Sequence, residues 1–177
     1  MNHAVENIFM SKFKLLTLLQ PYYGKIPQPV LYCDNTEVIG APFYIMERIE
    51  GVVIRSKIPD GMDASPDFIR QLSISLIDNL AEIHSIDIYE SKLTDLGKPE
   101  GYVARQVSGW IKRYQNAATD VIPEMDELSA WMTKHQPVDN PPALIHNDYK
   151  YDNVVLDPQN LTQIKACLLY TSDAADE

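Results

Sequence analysis

The sequence predicts an α+β fold in two lobes, a small one of helix plus hairpin and a larger, mainly helical one. Three observations predict it. Apolar residues recur at three- and four-residue steps over long stretches, as on one face of a helix. Two runs rich in aromatic and β-branched residues lie between positions 29 and 50, as in a hairpin. A polar loop at 146–153 is bracketed by short apolar runs that read as buried strands.

In chain order, Val5, Ile8, Phe9, Phe13, Leu16 and Leu19 mark the first helix, which Pro21 ends. Pro29–Cys33 reads as a strand, Asp34-Asn35-Thr36 as a turn, and Phe43–Glu50 as a second strand closed by Gly51. The composition shifts between Ile58 and Ser65, which places the lobe boundary there. Ser65 then caps a long helix with Pro66 at its first position. Phe68, Ile69, Leu72, Leu76, Ile77, Leu80 and Ile83 form its apolar stripe, and His84 at its end reads as a packed core histidine. Two further helices follow, roughly Tyr102 to Asn116 and Glu124 to His135, with Trp131 and Met132 read as core. Pro137, Pro141 and Pro142 stiffen the loop before Ala143-Leu144-Ile145, and Val154-Val155-Leu156 lies beyond the polar loop; both apolar triplets read as short buried strands.

Composition narrows the function classes. The formal net charge of −10 gives a surface that repels a polyanion, so nucleic acid is not expected as a partner. No apolar run approaches the ~20 residues of a membrane span, and the N-terminus lacks a basic start and apolar centre, so neither a membrane nor a secretory route is expected. Two cysteines cannot build a disulfide framework or a four-ligand zinc site. A cytoplasmic chain is the resulting expectation. Oligomeric state is not legible.

The chemistry concentrates in His146-Asn147-Asp148-Tyr149-Lys150-Tyr151-Asp152-Asn153. A tight loop can aim the Asp148 carboxylate and the Asn153 amide at one spot although they share no helix face. A carboxylate can orient a hydroxyl and take its proton as it attacks phosphorus. An amide oxygen is a hard ligand suited to magnesium. His146 could brace the loop through the backbone, and Lys150 could offset charge on a transferring phosphate. The alternatives are a polar turn without catalytic role and a hydrolytic metal site on His146 and Asp148, which would need more ligands than Asp152 alone. Arg105, Gln106 and Trp110, about one turn apart, either line an anion groove or simply pack and stack.

His146-Asn147-Asp148…Asn153 followed by Val154-Val155-Leu156 resembles the catalytic loop of the aminoglycoside phosphotransferase-like kinases, usually His-Gly-Asp-x4-Asn and an apolar strand. Ile39–Gly51 looks like that family's hinge strand, and Leu80–Asp87 like the end of its long helix. Leu96–Trp110 resembles a branch whose members include kinase-like domains fused to acyl-CoA dehydrogenases. The likeness covers about residues 3 to 166. It implies a bilobal protein-kinase-like fold that uses ATP and Mg2+ to phosphorylate a small-molecule hydroxyl, hydroxyacyl-CoA-like or aminoglycoside-like. Carried over by position, Asp148 is the catalytic base, Asn153 the magnesium ligand, His146 the loop brace and Lys150 the phosphate-side cation. Met46, Glu47, Arg48 and Ile49 are the hinge whose backbone meets adenine. Asn147 replaces the usual glycine, and asparagine tolerates the left-handed backbone that glycine serves.

Three departures qualify that implication. The glycine-rich phosphate loop and ATP-binding lysine of the family would precede residue 1. Lys12 stands where the opening helix should carry a glutamate, and Glu6 is two turns too early. The second metal-binding aspartate expected after Ile164-Lys165-Ala166 is replaced by Cys167–Glu177, which resembles a translated sequencing adapter. Alternatively, Asp173 is that aspartate displaced. The expectation is therefore a kinase truncated at both ends, with a partial small lobe over 1–57, a partial large lobe over 58–166 and a non-native tail over 167–177. By itself such a piece should be inactive. A nucleotide-binding pseudokinase or regulatory module is the other reading.

Overall fold

The computed structural model describes residues 3–55, 57–59 and 61–169. Helix α1 spans His3–Leu19 and ends where Pro21 blocks its continuation, with Tyr22 and Tyr23 donating back to the Leu19 carbonyl at 2.9 Å. Its buried residues are Leu15, Leu16 and Leu19. Strands β1 (Pro29–Cys33) and β2 (Phe43–Met46) pair antiparallel, with Leu31 opposite Ile45 and Cys33 opposite Phe43. Phe9 against Tyr44 and Phe13 against Tyr32, at centroid distances of 6.2 and 6.0 Å, seat α1 on this hairpin.

The second strand is shorter than the Phe43–Glu50 run predicts. The Glu47 N–H donates to Gln28 O, just ahead of β1, and beyond it the chain leaves the hairpin. It makes one bridge instead, at Val52, whose N–H and C=O exchange bonds with Leu156 at 3.0 and 2.8 Å. β2 thus ends at Met46, and the next pairing along the chain is made at Val52 with a distant strand.

Helix α2 (Pro66–His84) begins as its sequence dictates. Ser65 Oγ accepts the Phe68 N–H at 3.3 Å and Pro66 occupies the first turn. Its buried positions are Leu72, Asn79 and Ile83. The stripe is thus narrower than predicted: Ile77 is 61% exposed, and His84 is exposed instead of packed, since it lies one residue round the helix from buried Ile83.

Gly97–Pro142 form a compact unit of their own, distinct from the remainder of the described chain. This unit is a helical pair, α3 (Tyr102–Ala117) and α4 (Pro123–Lys134), with no buried residue in either helix. Trp131 and Met132, expected in a core, are exposed; Trp131 stacks on His135 at 4.9 Å instead. Trp110 likewise lies on the surface, with the Arg113 guanidinium over its ring at 4.9 Å, while Arg105 donates to the Lys98 and Glu100 carbonyls.

Ala143-Leu144-Ile145 is not a strand. Among the described residues it pairs with no strand, and Ala143 and Ile145 are exposed. Strand β3 (Val154–Leu156), by contrast, is buried throughout and pairs antiparallel with β4 (Ile164–Cys167), Val154 opposite Cys167 and Leu156 opposite Ile164. This hairpin meets α1, α2 and the segment from Tyr23 to Ile26 in one apolar cluster. Cys167, assigned by sequence to the tail, is the fully buried last residue of β4, and its N–H donates to Lys25 O at 2.7 Å. Burial pushes its thiol up to about 12. Residues 170–177, Asp173 among them, lie outside the described residues. Among the described residues no helix is long and apolar enough to cross a membrane.

Candidate active site

The loop 146–153 runs into β3, and its shape follows from four local constraints. His146 is buried, and its Nε2 lies 3.1 Å from the Leu168 carbonyl. A carbonyl only accepts, so Nε2 carries the proton and Nδ1 offers its lone pair to the Asp148 N–H at 3.4 Å. Asn147 turns the chain with φ 61°, the left-handed conformation expected where an asparagine replaces glycine. The Asp148 N–H also donates to His146 O at 2.8 Å, and the Asn153 N–H to Lys150 O at 3.0 Å. The loop is therefore closed on itself before any long-range contact is counted.

These turns bring together His146, Asp148, Lys150 and Asn153. Lys150 Nζ lies 2.9 Å from Asp148 Oδ1. Asn153 Nδ2 donates to Asp148 Oδ2 at 2.9 Å and to Asp148 O at 2.7 Å. The hydrogen bond from Lys150, and then that from Asn153, hold the Asp148 carboxyl below the usual carboxylate range. The same pairing raises Lys150. Asp148 is half exposed, so its carboxylate is ionised, oriented and open to an incoming hydroxyl.

Asn153 is buried, and its backbone carbonyl accepts the Leu168 N–H at 2.7 Å. Both of its donated side-chain bonds use Nδ2, and among the described residues no hydrogen bond to Oδ1 is seen. That oxygen and the Asp148 carboxylate are hard donors. Among the described residues no three His, Cys, Asp or Glu side chains group into a metal cage. A cation here would take one or two oxygens from the chain and the rest from phosphate and water, a set that fits magnesium and not a structural zinc.

Met46, Glu47, Arg48 and Ile49 lie apart from this cluster. Met46 ends β2, and the next three residues belong to no helix or strand, with Glu47 and Arg48 exposed. Among the described residues no hydrogen bond links these four to the loop. Their connection runs through the backbone: the Val52–Leu156 bridge and a 2.9 Å bond from Lys165 Nζ to Glu50 O pin the end of this segment to the β3–β4 hairpin. Gly51 permits the approach, since a Cβ there would collide with Leu156 O and Val155 Cγ1.

Two residues that sequence reasoning passed over complete the site. Asn79 of α2 donates from Nδ2 to the Tyr149 hydroxyl at 2.9 Å and accepts from the Tyr23 hydroxyl at 2.8 Å. A polar residue at the 72, 76, 79, 83 spacing of an apolar stripe was the available signal. Leu168, in the segment set aside as tail, supplies the carbonyl that orients His146.

The sequence pattern of a phosphotransferase enzyme family (APH) matches residues 10–166. Acyl-CoA dehydrogenase family member 11 of Rattus norvegicus is 40% identical over 158 residues, 89% of this chain and 20% of that protein. Acyl-CoA dehydrogenase family member 10 of Mus musculus is 30% identical over 157 residues, 89% of this chain and 14% of that protein. The chain thus spans about a fifth or less of the length of these relatives. A crystal structure described as a candidate aminoglycoside phosphotransferase from Ralstonia eutropha JMP134 superposes with a TM-score of 0.78 at 29% identity, over 92% of this chain and 49% of the other. The His146–Asn153 loop, the strands around it and the matched span together place this chain in the phosphotransferase enzyme family, with that family's kinase-like fold.

Proposed function

We propose that this chain carries the catalytic loop and hinge of a kinase that moves the γ-phosphate of ATP to a hydroxyl of a small molecule. The observation that carries the reading is the Asp148 carboxylate, ionised and fixed between Lys150 and Asn153 in a loop braced by His146. In the reaction the substrate oxygen bonds to the γ-phosphorus, the bond from phosphorus to the β,γ-bridging oxygen breaks, and ADP leaves. Asp148 orients the attacking hydroxyl and accepts its proton. Lys150, already at Asp148 Oδ1, is positioned to share its charge with the transferring phosphoryl oxygens. Asn153 Oδ1 would hold the magnesium, which neutralises developing charge on phosphate when bound. The backbone of Met46–Ile49 would receive the adenine.

The relatives' names favour a hydroxyacyl-CoA-like substrate, and the solved neighbour's an aminoglycoside-like one; both offer the hydroxyl that the loop requires. No nucleic-acid partner is expected of an acidic chain. The test is ATP-dependent phosphorylation of a panel of hydroxylated compounds, assayed on this chain and on one extended with its relatives' flanking sequence. The extended chain should turn over, this chain alone should not, and Asp148→Ala should lower kcat at least about 100-fold. Equal turnover by Asp148→Ala would sink the assignment. Lys12, half-buried in α1 where a glutamate is expected, motivates a nucleotide-binding module without transfer; calorimetric ATP binding with no product from any form would favour it.

A further inference from the structure

We infer that Asn79, on α2, is the positioning residue of the catalytic loop, acting through the Tyr149 hydroxyl. This rests on the kinase reading of that loop. The bonds around Asn79 have a fixed polarity. Tyr149 donates its proton to Leu76 O at 2.7 Å, so toward Asn79 it can only accept, and Nδ2 must face it. Oδ1 then faces Tyr23, which donates at 2.8 Å. Every polar atom of the trio has a partner, and Asn79 is 2% exposed.

The geometry makes this more than core filling. Tyr149 follows Asp148 directly, and its ring meets the His146 imidazole edge-on at 5.4 Å. Its hydroxyl is tied to one turn of α2 by two hydrogen bonds, one accepted and one donated. The Asp148 peptide is therefore held from both sides, by Asn153 on one and by Tyr149 on the other. Without Asn79 the Tyr149 hydroxyl keeps only the Leu76 carbonyl, and the ring can slide along the helix. The Asp148 carboxylate then leaves the position from which it meets a hydroxyl, and small misplacements of that kind are costly in rate.

The discriminating variant is the double substitution Asn79→Leu/Tyr23→Phe. It replaces both partners by apolar groups of similar shape, so global stability is largely preserved. Amide exchange by NMR should then show Asp148 and Asn153 exchanging about five-fold faster, the loss expected for one hydrogen bond, with α2 amides unchanged. The 15N shifts of His146 should move from one pure tautomer toward a mixture. Tyr149→Phe should reproduce both effects and guards against a double variant that misfolds. A purely structural Asn79 would speed all amides in step with denaturant-measured stability and leave the His146 signature alone; that result, or unchanged loop exchange, overturns the inference. In a form that turns over, kcat should fall about ten-fold with KM for ATP unchanged. Absence of turnover in every form counts against the proposed activity only, because exchange and tautomer still decide the role of Asn79.

Discussion

The molecule holds two antiparallel hairpins of similar size with opposite surroundings. In β3–β4 every residue except Lys165 is buried, whereas in β1–β2 Val30, Leu31, Ile45 and Met46 are exposed. Both are mainly apolar, β1–β2 with the aromatics Tyr32, Phe43 and Tyr44 and β3–β4 with none, so apolar content does not explain the difference. Coverage does: β1–β2 has α1 against it, while β3–β4 is enclosed by α1, α2 and the Tyr23–Ile26 segment, and its β3 edge is bonded to Val52. The 146–153 loop leads directly into the enclosed hairpin. A site that needs fixed geometry is thereby attached to the part of the chain with the least freedom to open.

Truncations at matched positions should separate the hairpins most. Leu156→Ala, at a fully buried position, should cost about 2–5 kcal/mol in denaturant unfolding, against about 0.5 kcal/mol or less for Leu31→Ala at 48% exposure. Equal costs would mean that the exposed hairpin is covered in solution. Gly51→Ala tests the link between them. The new methyl would collide with Leu156 O and Val155, so about 1–3 kcal/mol should be lost, together with affinity for ATP in titration calorimetry. Within the loop, Asn147→Ala should cost about 1 kcal/mol at φ 61° while Asn147→Gly should be neutral or better by the same unfolding assay.

The mildest change is electrostatic. Lys150 is the first cause of the lowered Asp148 pKa. The pairing is fully present above the ordinary carboxylate pKa and is lost as pH falls through the depressed value. Lys150→Met should therefore move the Asp148 titration to higher pH, followed by carboxyl-carbon NMR, and the acid limb of kcat/KM with it.

What could be read from the sequence was what the sequence determines locally. The loop was legible because His146, Asp148, Lys150 and Asn153 bond within eight consecutive positions. The start of α2 was legible because a serine and a proline do their work within one turn. The failures turn on tertiary context, contacts made or missing beyond the local sequence. Ala143-Leu144-Ile145 has strand composition but nothing to pair with. Phe43–Glu50 is strand to Met46, and the next pairing lies outside it, at Val52 with Leu156. Trp131 and Met132 are large and apolar, yet their small unit has no interior for them. Asn79 finds its partners 56 and 70 positions away, at separations where no periodicity argument reaches.

The contact at Gly51 has one more consequence. The chain just beyond Met46–Ile49 and strand β3 meet there with no space for a side chain. Neither can drift in sequence without the other. Among related chains, a residue larger than glycine at position 51 should appear only beside a smaller residue at 155 or a displaced strand at 156. If the proposed roles hold, the nucleotide-facing and hydroxyl-facing halves of the site would then have evolved as one inherited block, and specificity would change more readily at their margins than at the seam between them.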